Sequence, residues 1–99
     1  MSEEKNEFDI PDMVEIPIDG ILDLHSFQPS EVRDLVPDYL EECRKKGILE
    51  VRIIHGKGIG VLKNIVNSIL SDIPWVRRHR PDTDAGNWGA TIAFLEPEE

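Results

Sequence analysis

The stretch Glu50-Val51-Arg52-Ile53-Ile54-His55-Gly56-Lys57-Gly58-Ile59-Gly60 passes from a β-branched run into three glycines within five residues. Beyond it Val61, Leu62, Ile65, Val66, Ile69 and Leu70 recur at helical spacing, and the pattern stops before Pro74. A strand therefore runs through a glycine turn into a helix. Gly56, Gly58 and Gly60 permit positive φ and let a ligand approach the backbone. The helix start presents unpaired N–H groups and a partial positive charge, and Lys57 adds a full one, so a phosphate is the natural guest. The pattern GxxxxGK[ST] is absent, so nucleoside triphosphate binding is not indicated. A plain strand-to-helix turn also explains the glycines, but it demands neither Lys57 nor His55.

Upstream, Ile21-Leu22-Asp23-Leu24-His25 reads as the first strand, bounded by Gly20 and the turn Ser26-Phe27-Gln28-Pro29. Pro29 opens a helix whose apolar residues Val32, Leu35, Val36, Tyr39, Leu40 and Cys43 form one stripe; Pro37 lies off it and Gly47 ends it. Downstream, Trp75 to Arg80 reads as a third strand, Pro81 to Asn87 as a loop, and Trp88 to Leu95 as the last strand. The order β-α-β-α-β-β predicts an α/β fold. Strand–helix–strand units favour parallel pairing, and the closing hairpin-like pair makes the four-stranded sheet mixed. Two helices suit a two-layer sandwich. Strand order is not readable from the sequence.

The 99 residues suffice for one domain: an acidic arm over 1–15, a folded unit over 16–96 and an acidic tail over 97–99. Within 13–18, Pro17 limits the apolar run to an extended segment along the core. The net charge of −9 opposes nucleic-acid binding until it is located along the chain. Residues 1–20 hold seven acids against Lys5, and Glu96, Glu98 and Glu99 close the chain, so the two ends carry all of it. Residues 51–80 hold Arg52, Lys57, Lys63, Arg77, Arg78 and Arg80 against Asp72 alone, a local +5. That segregation suits an anion-binding face, although an ordinary solvated surface also accounts for it. No apolar run approaches the roughly 18 residues of a membrane span, and the start lacks a secretory pattern. Cys43, the single cysteine, reads as a buried reduced thiol, consistent with a cytoplasmic location.

Ligands in such sheets bind beyond the carboxyl ends of the strands, where both histidine motifs fall. If the first two strands are parallel neighbours, Asp23, His25 and His55 come within reach of one another. A histidine there can move protons or serve only as a structural hydrogen-bonder. Asp23 can orient a histidine, cap a turn, or hold a divalent cation such as Mg2+; a zinc site from Asp23, His25 and His55 is a weaker alternative. His79 reads as a surface contact. Trp75 and Trp88 read as packing residues, with Trp88 alternatively a platform for base stacking.

Leu22-Asp23-Leu24-His25, the proline-initiated helix, His55-Gly56-Lys57-Gly58 at a strand-to-helix turn, and Gly89-Ala90-Thr91-Ile92 together resemble the Smr (small MutS-related) domain family. The resemblance covers residues 16 to 96 as a stand-alone domain. It implies a sandwich similar to the C-terminal domain of bacterial translation initiation factor three. It also implies nucleic-acid binding and, in several members, nicking of DNA or cutting of RNA. The implied active residues are Asp23, His25 and His55, with Gly56, Lys57 and Gly58. Gly60, Lys63, Arg77, Arg78 and Arg80 join them as expected phosphate contacts. Ser26 stands where the family usually has Gly, and no MutS-like ATPase region is present. The leading expectation is an endonuclease acting on DNA or RNA, with a non-catalytic RNA- or ribosome-binding module as the alternative. A protein-interaction domain docking through its acidic arm is a third reading. Oligomeric state is not readable.

Overall fold

The computed structural model describes residues 17–56, 60–82 and 89–98. The expected arm, Lys57, Gly58 and Trp88 lie outside them. The described residues form β1 (Ile21–Asp23), α1 (Pro29–Lys45), β2 (Glu50–Ile54), α2 (Val61–Asp72), β3 (Val76–Pro81) and β4 (Ala90–Leu95). This is the expected order in an α/β fold with two helices and a four-stranded mixed sheet.

The sheet order is β1-β2-β4-β3. β1 and β2 pair in parallel, while β4 pairs antiparallel with both β2 and β3. β2 and β3 therefore point the same way but are not neighbours, because β4 inserts between them. Sequence order alone does not reveal such an insertion. The β3–β4 ladder carries an irregularity between Val76 and Arg78, which leaves Arg77 as a bulge residue.

Alternation along the strands separates two sheet faces. One face offers Leu22, Val51, Ile53, Ala93 and Leu95, all buried in one cluster with Val32, Val36, Leu40 and Cys43 of α1 and Val66, Ile69 and Leu70 of α2. The helices also pack against each other, so both cover this face and the molecule has two layers. Fully burying each such aliphatic side chain contributes about 1.5–3 kcal/mol. The predicted stripe of α1 is buried apart from Leu35, which is partly so. In α2 the stripe is offset at its start, where Val61 is exposed.

Local chemistry explains the boundaries. β1 ends at Asp23 rather than His25, because the Asp23 carboxylate accepts the His25 backbone N–H at 3.0 Å and turns the chain. The Gln28 N–H donates to the Glu31 carboxylate at 2.7 Å, fixing the α1 start. Pro37 is accommodated inside α1. Pro81 ends β3 rather than starting the loop, which an edge strand tolerates because no ladder donor is needed there. Ile18 packs against the core, and the Tyr39 hydroxyl holds the entering chain by accepting the Gly20 N–H at 3.2 Å. Burial pushes the Tyr39 phenol up to about 12 and the Cys43 thiol upward as well. Among the described residues, no helix is long and apolar enough to cross a membrane.

Candidate active site

Register places the two histidine motifs side by side. Asp23 is level with Ile54 across the parallel ladder, and the Leu24 N–H continues it to the Ile54 carbonyl at 2.9 Å. Asp23-Leu24-His25 and His55-Gly56 therefore leave the same end of two neighbouring strands. Their histidines have opposite fates.

His25 faces solvent, its side chain 77% exposed. Its Nδ1 lies 2.8 Å from Asp23 Oδ1, the oxygen that also accepts the His25 backbone N–H. An ionised carboxylate only accepts, so Nδ1–H donates and Nε2 carries the basic lone pair in the neutral ring. These bonds, the backbone one first and the side-chain one second, hold the Asp23 carboxyl below its ordinary range. Asp23 thus stays ionised and fixes the ring. Ser26 Oγ stands 3.3 Å from His25 Nε2.

His55 turns inward and is 6% exposed. Its Nδ1 lies 3.1 Å from the Gly56 carbonyl, and its Nε2 lies 3.0 Å from Thr91 Oγ1. The carbonyl can only accept, so Nδ1–H donates to it and Nε2 receives the Thr91 hydroxyl hydrogen. Burial lowers the His55 pKa, and the charge of Lys63 adds to that, which agrees with a neutral ring. Both nitrogens are engaged, so His55 is held as a strut beneath the loop rather than aimed outward. The expected meeting of Asp23, His25 and His55 is one of strand ends, without hydrogen bonds joining His55 to the other two. Among the described residues no three His, Cys, Asp or Glu side chains are grouped to hold a metal.

The loop is pinned from below. The N–H groups of His55 and Gly56 both donate to the Gly89 carbonyl, at 2.8 and 2.9 Å. Gly89 and Thr91 therefore belong to the site's support, a role that pattern reading missed although both sit in the Gly89-Ala90-Thr91-Ile92 motif. Gly56 and Gly60 hold φ of 86° and 92°, and nothing lies within 4 Å of where a Cβ would stand on either. Their glycine character answers to backbone conformation and leaves the approach clear. Gly60 caps α2 without a side-chain bond, and no acid stands in the first turn of that helix. Lys63 is exposed in that turn, so the helix start keeps an uncompensated positive end.

The remaining expected contacts are placed on β3. Arg77, Arg78 and Arg80 are exposed there, and register puts Arg78 and Arg80 on the face away from the helix layer. Arg52, counted with the basic segment, is instead committed to the fold, with Nε 2.6 Å from the buried Asp82 carboxylate. His79 lies on the helix side, where Nε2 stands 3.4 Å from Ser71 Oγ of α2 in an exposed contact. Trp75 packs against the core beneath the Arg44 guanidinium, 4.7 Å from its ring centre.

Comparison with known proteins gives the chain its relatives in sequence and fold. The chain is 36% identical over 80 residues to the endonuclease MutS2 of Clostridium botulinum, covering 80% of this chain and 10% of that protein. It thus spans about a tenth of the length of the curated relatives it matches. The crystal structure of the Smr domain of Thermus thermophilus MutS2 superposes with a TM-score of 0.73 at 29% identity, covering 78% of this chain and 98% of that one. YdaL, a stand-alone small MutS-related protein from Escherichia coli, shares the fold with a TM-score of 0.73 at 24% identity, covering 81% of this chain and 66% of that one. A family model of the Smr domain matches residues 22–96, and the chain belongs to that family.

Proposed function

We propose that this Smr domain binds nucleic acid and cuts phosphodiester bonds, with Asp23 and His25 as the proton-transferring pair. The observation that carries the reading is the solvent-facing His25 ring, fixed by Asp23 at 2.8 Å with Nε2 directed away from it. A carboxylate-oriented imidazole of this kind takes a proton from an attacking hydroxyl. The oxygen attacks phosphorus, Nε2 receives its proton, and the P–O bond to the leaving oxygen breaks; that oxygen takes a proton from water or from the imidazolium. The attacking oxygen is water in hydrolysis, or a ribose 2′-hydroxyl in transesterification of RNA. The positive end of α2, Gly56, Lys57, Gly58, Gly60 and Lys63 receive the phosphate charge. His55 supports the loop and does not itself transfer a proton. The similarity to a protein named endonuclease MutS2 agrees with this activity.

A divalent cation would neutralise phosphate charge when bound, and Asp23 is the residue that would ligate it. The Asp23 oxygen nearest the ring is already shared between two His25 donors, so the residues do not build a cage. No step above passes through a metal. The contact of Ser26 with Nε2 favours a second reading, a non-catalytic RNA- or ribosome-binding module, because it occupies the basic nitrogen.

Incubating the chain with supercoiled plasmid and with structured RNA, each with and without chelator, separates the two. The nuclease reading expects cutting that is lost in Asp23→Ala and His25→Ala proteins. Binding without cutting, unchanged by either substitution, would leave the binding module in its place.

A further inference from the structure

We infer that the sheet face opposite the helices is a docking platform for single-stranded nucleic acid, centred on Phe94 between Arg78 and Arg80. Registers align Glu50, Phe94 and Arg78 in one row across the outer face, and Ile21, Arg52, Ile92 and Arg80 in the next. Neither helix covers these rows, since both pack on the other side. The Arg78 guanidinium carbon stands 4.2 Å from the Phe94 ring centre, and that of Arg80 stands 5.7 Å from it.

The two arginines differ from Arg52 in one decisive respect. Arg52 is neutralised by Asp82, whereas Arg78 and Arg80 have no carboxylate partner among the described residues. Arg78 is held over the aromatic ring, and Arg80 also donates from Nη1 to the Pro81 carbonyl at 3.2 Å, a neutral acceptor that leaves its charge to meet an anion. A guanidinium plane against a ring is a surface on which a base stacks while the charge pairs with phosphate. Stacking of this sort requires an unpaired base, which selects a single strand over a duplex. Charge complementarity points to a polyanion, and the aromatic corner makes that polyanion a nucleic acid rather than an acidic peptide.

The platform shares its face with the proposed reactive pair. Asp23 lies on the same side of the sheet, level with Ile54 and Ala90, and Phe94 lies two strands across and four residues along. Strand spacing and rise make that diagonal roughly 16 Å, which a few nucleotides span. A strand stacked at Phe94 would run toward His25. The substrate direction rests on the nuclease reading of Asp23 and His25; the binding itself does not.

The test is fluorescence anisotropy of the whole chain with a labelled oligouridylate or oligothymidylate. Competitors are unlabelled duplex of the same length and a synthetic peptide of residues 1–16. Arg78→Glu with Arg80→Glu is expected to weaken binding at least tenfold, and Phe94→Leu about fivefold or more. Lys45→Glu with Lys46→Glu, an equal charge change at the end of α1, is expected to have a much smaller effect. Thermal melting of each variant confirms that it is folded. Unchanged affinity in the folded arginine variant would overturn the platform, as would duplex competing equally or the acidic peptide displacing the oligonucleotide at comparable concentration. His25→Ala keeps the binding. Its loss of cutting with intact binding, or binding lost in the arginine variant with cutting retained, tells the two proposals apart.

Discussion

His25 and His55 leave adjacent strand ends, yet one ring is set by a carboxylate in solvent and the other by a hydroxyl in the interior. The difference determines what each can do. A neutral His55 stabilises the fold only while it is unprotonated. Its folded pKa lies below the ordinary value near 6.5, so the unfolded chain takes up the proton first as pH falls. Stability from this residue is complete well above 6.5 and declines as the pH drops through that value toward the folded pKa. Melting midpoints measured from pH 7.5 to 5 should therefore fall more steeply for wild type than for His55→Gln. At neutral pH, Thr91→Val leaves His55 Nε2 buried without its donor and should cost about 1–3 kcal/mol by denaturant titration. The pairing of His25 with Asp23 was legible in Leu22-Asp23-Leu24-His25, where the carboxylate stands two residues before the ring it can orient. The inward turn of His55 was not, because it depends on Gly89 and Thr91, more than thirty residues downstream.

At the scale of elements, Gly56 and Gly60 hold left-handed backbone angles between β2 and α2, and the N–H groups of His55 and Gly56 are pinned to the Gly89 carbonyl before β4. Gly60 lies at φ 92° with open space above it, so Gly60→Ala should meet no clash and lose only the left-handed penalty, about 1–2 kcal/mol. Melting of the purified variant measures it. Leu40→Ala, a fully buried change in the α1 stripe, should cost about 2–5 kcal/mol because a cavity remains. The α1 stripe and the strand–turn–helix unit at 50–61 could be read directly, since periodicity is a local property. The insertion of β4 between β2 and β3 could not, since strand neighbours are chosen by long-range pairing. Asp23 also shortens β1 by accepting its own downstream N–H, an effect that apolar patterning does not register.

Across the whole molecule, acidity and basicity are segregated. The ends carry the net −9, while the outer sheet corner presents arginines to solvent. Deleting residues 1–15 should leave nucleic-acid affinity equal or stronger, because it removes six acids against Lys5. Affinity should fall steeply with salt in either form. The helix layer covers one side of the sheet and the proposed reactive pair stands at its edge, so the fold holds His25 in solvent while His55 is tied to Gly56 and Thr91. Single-turnover cutting by wild type, Asp23→Asn, His25→Ala and His55→Gln, compared among folded proteins, tests this division of labour most directly. The account predicts that the Asp23 and His25 changes lower the rate by about 10²–10⁴-fold with little change in melting, while His55→Gln chiefly lowers the melting midpoint. Wild-type cutting rates in Asp23→Asn and His25→Ala, with the loss appearing only in His55→Gln, would contradict it.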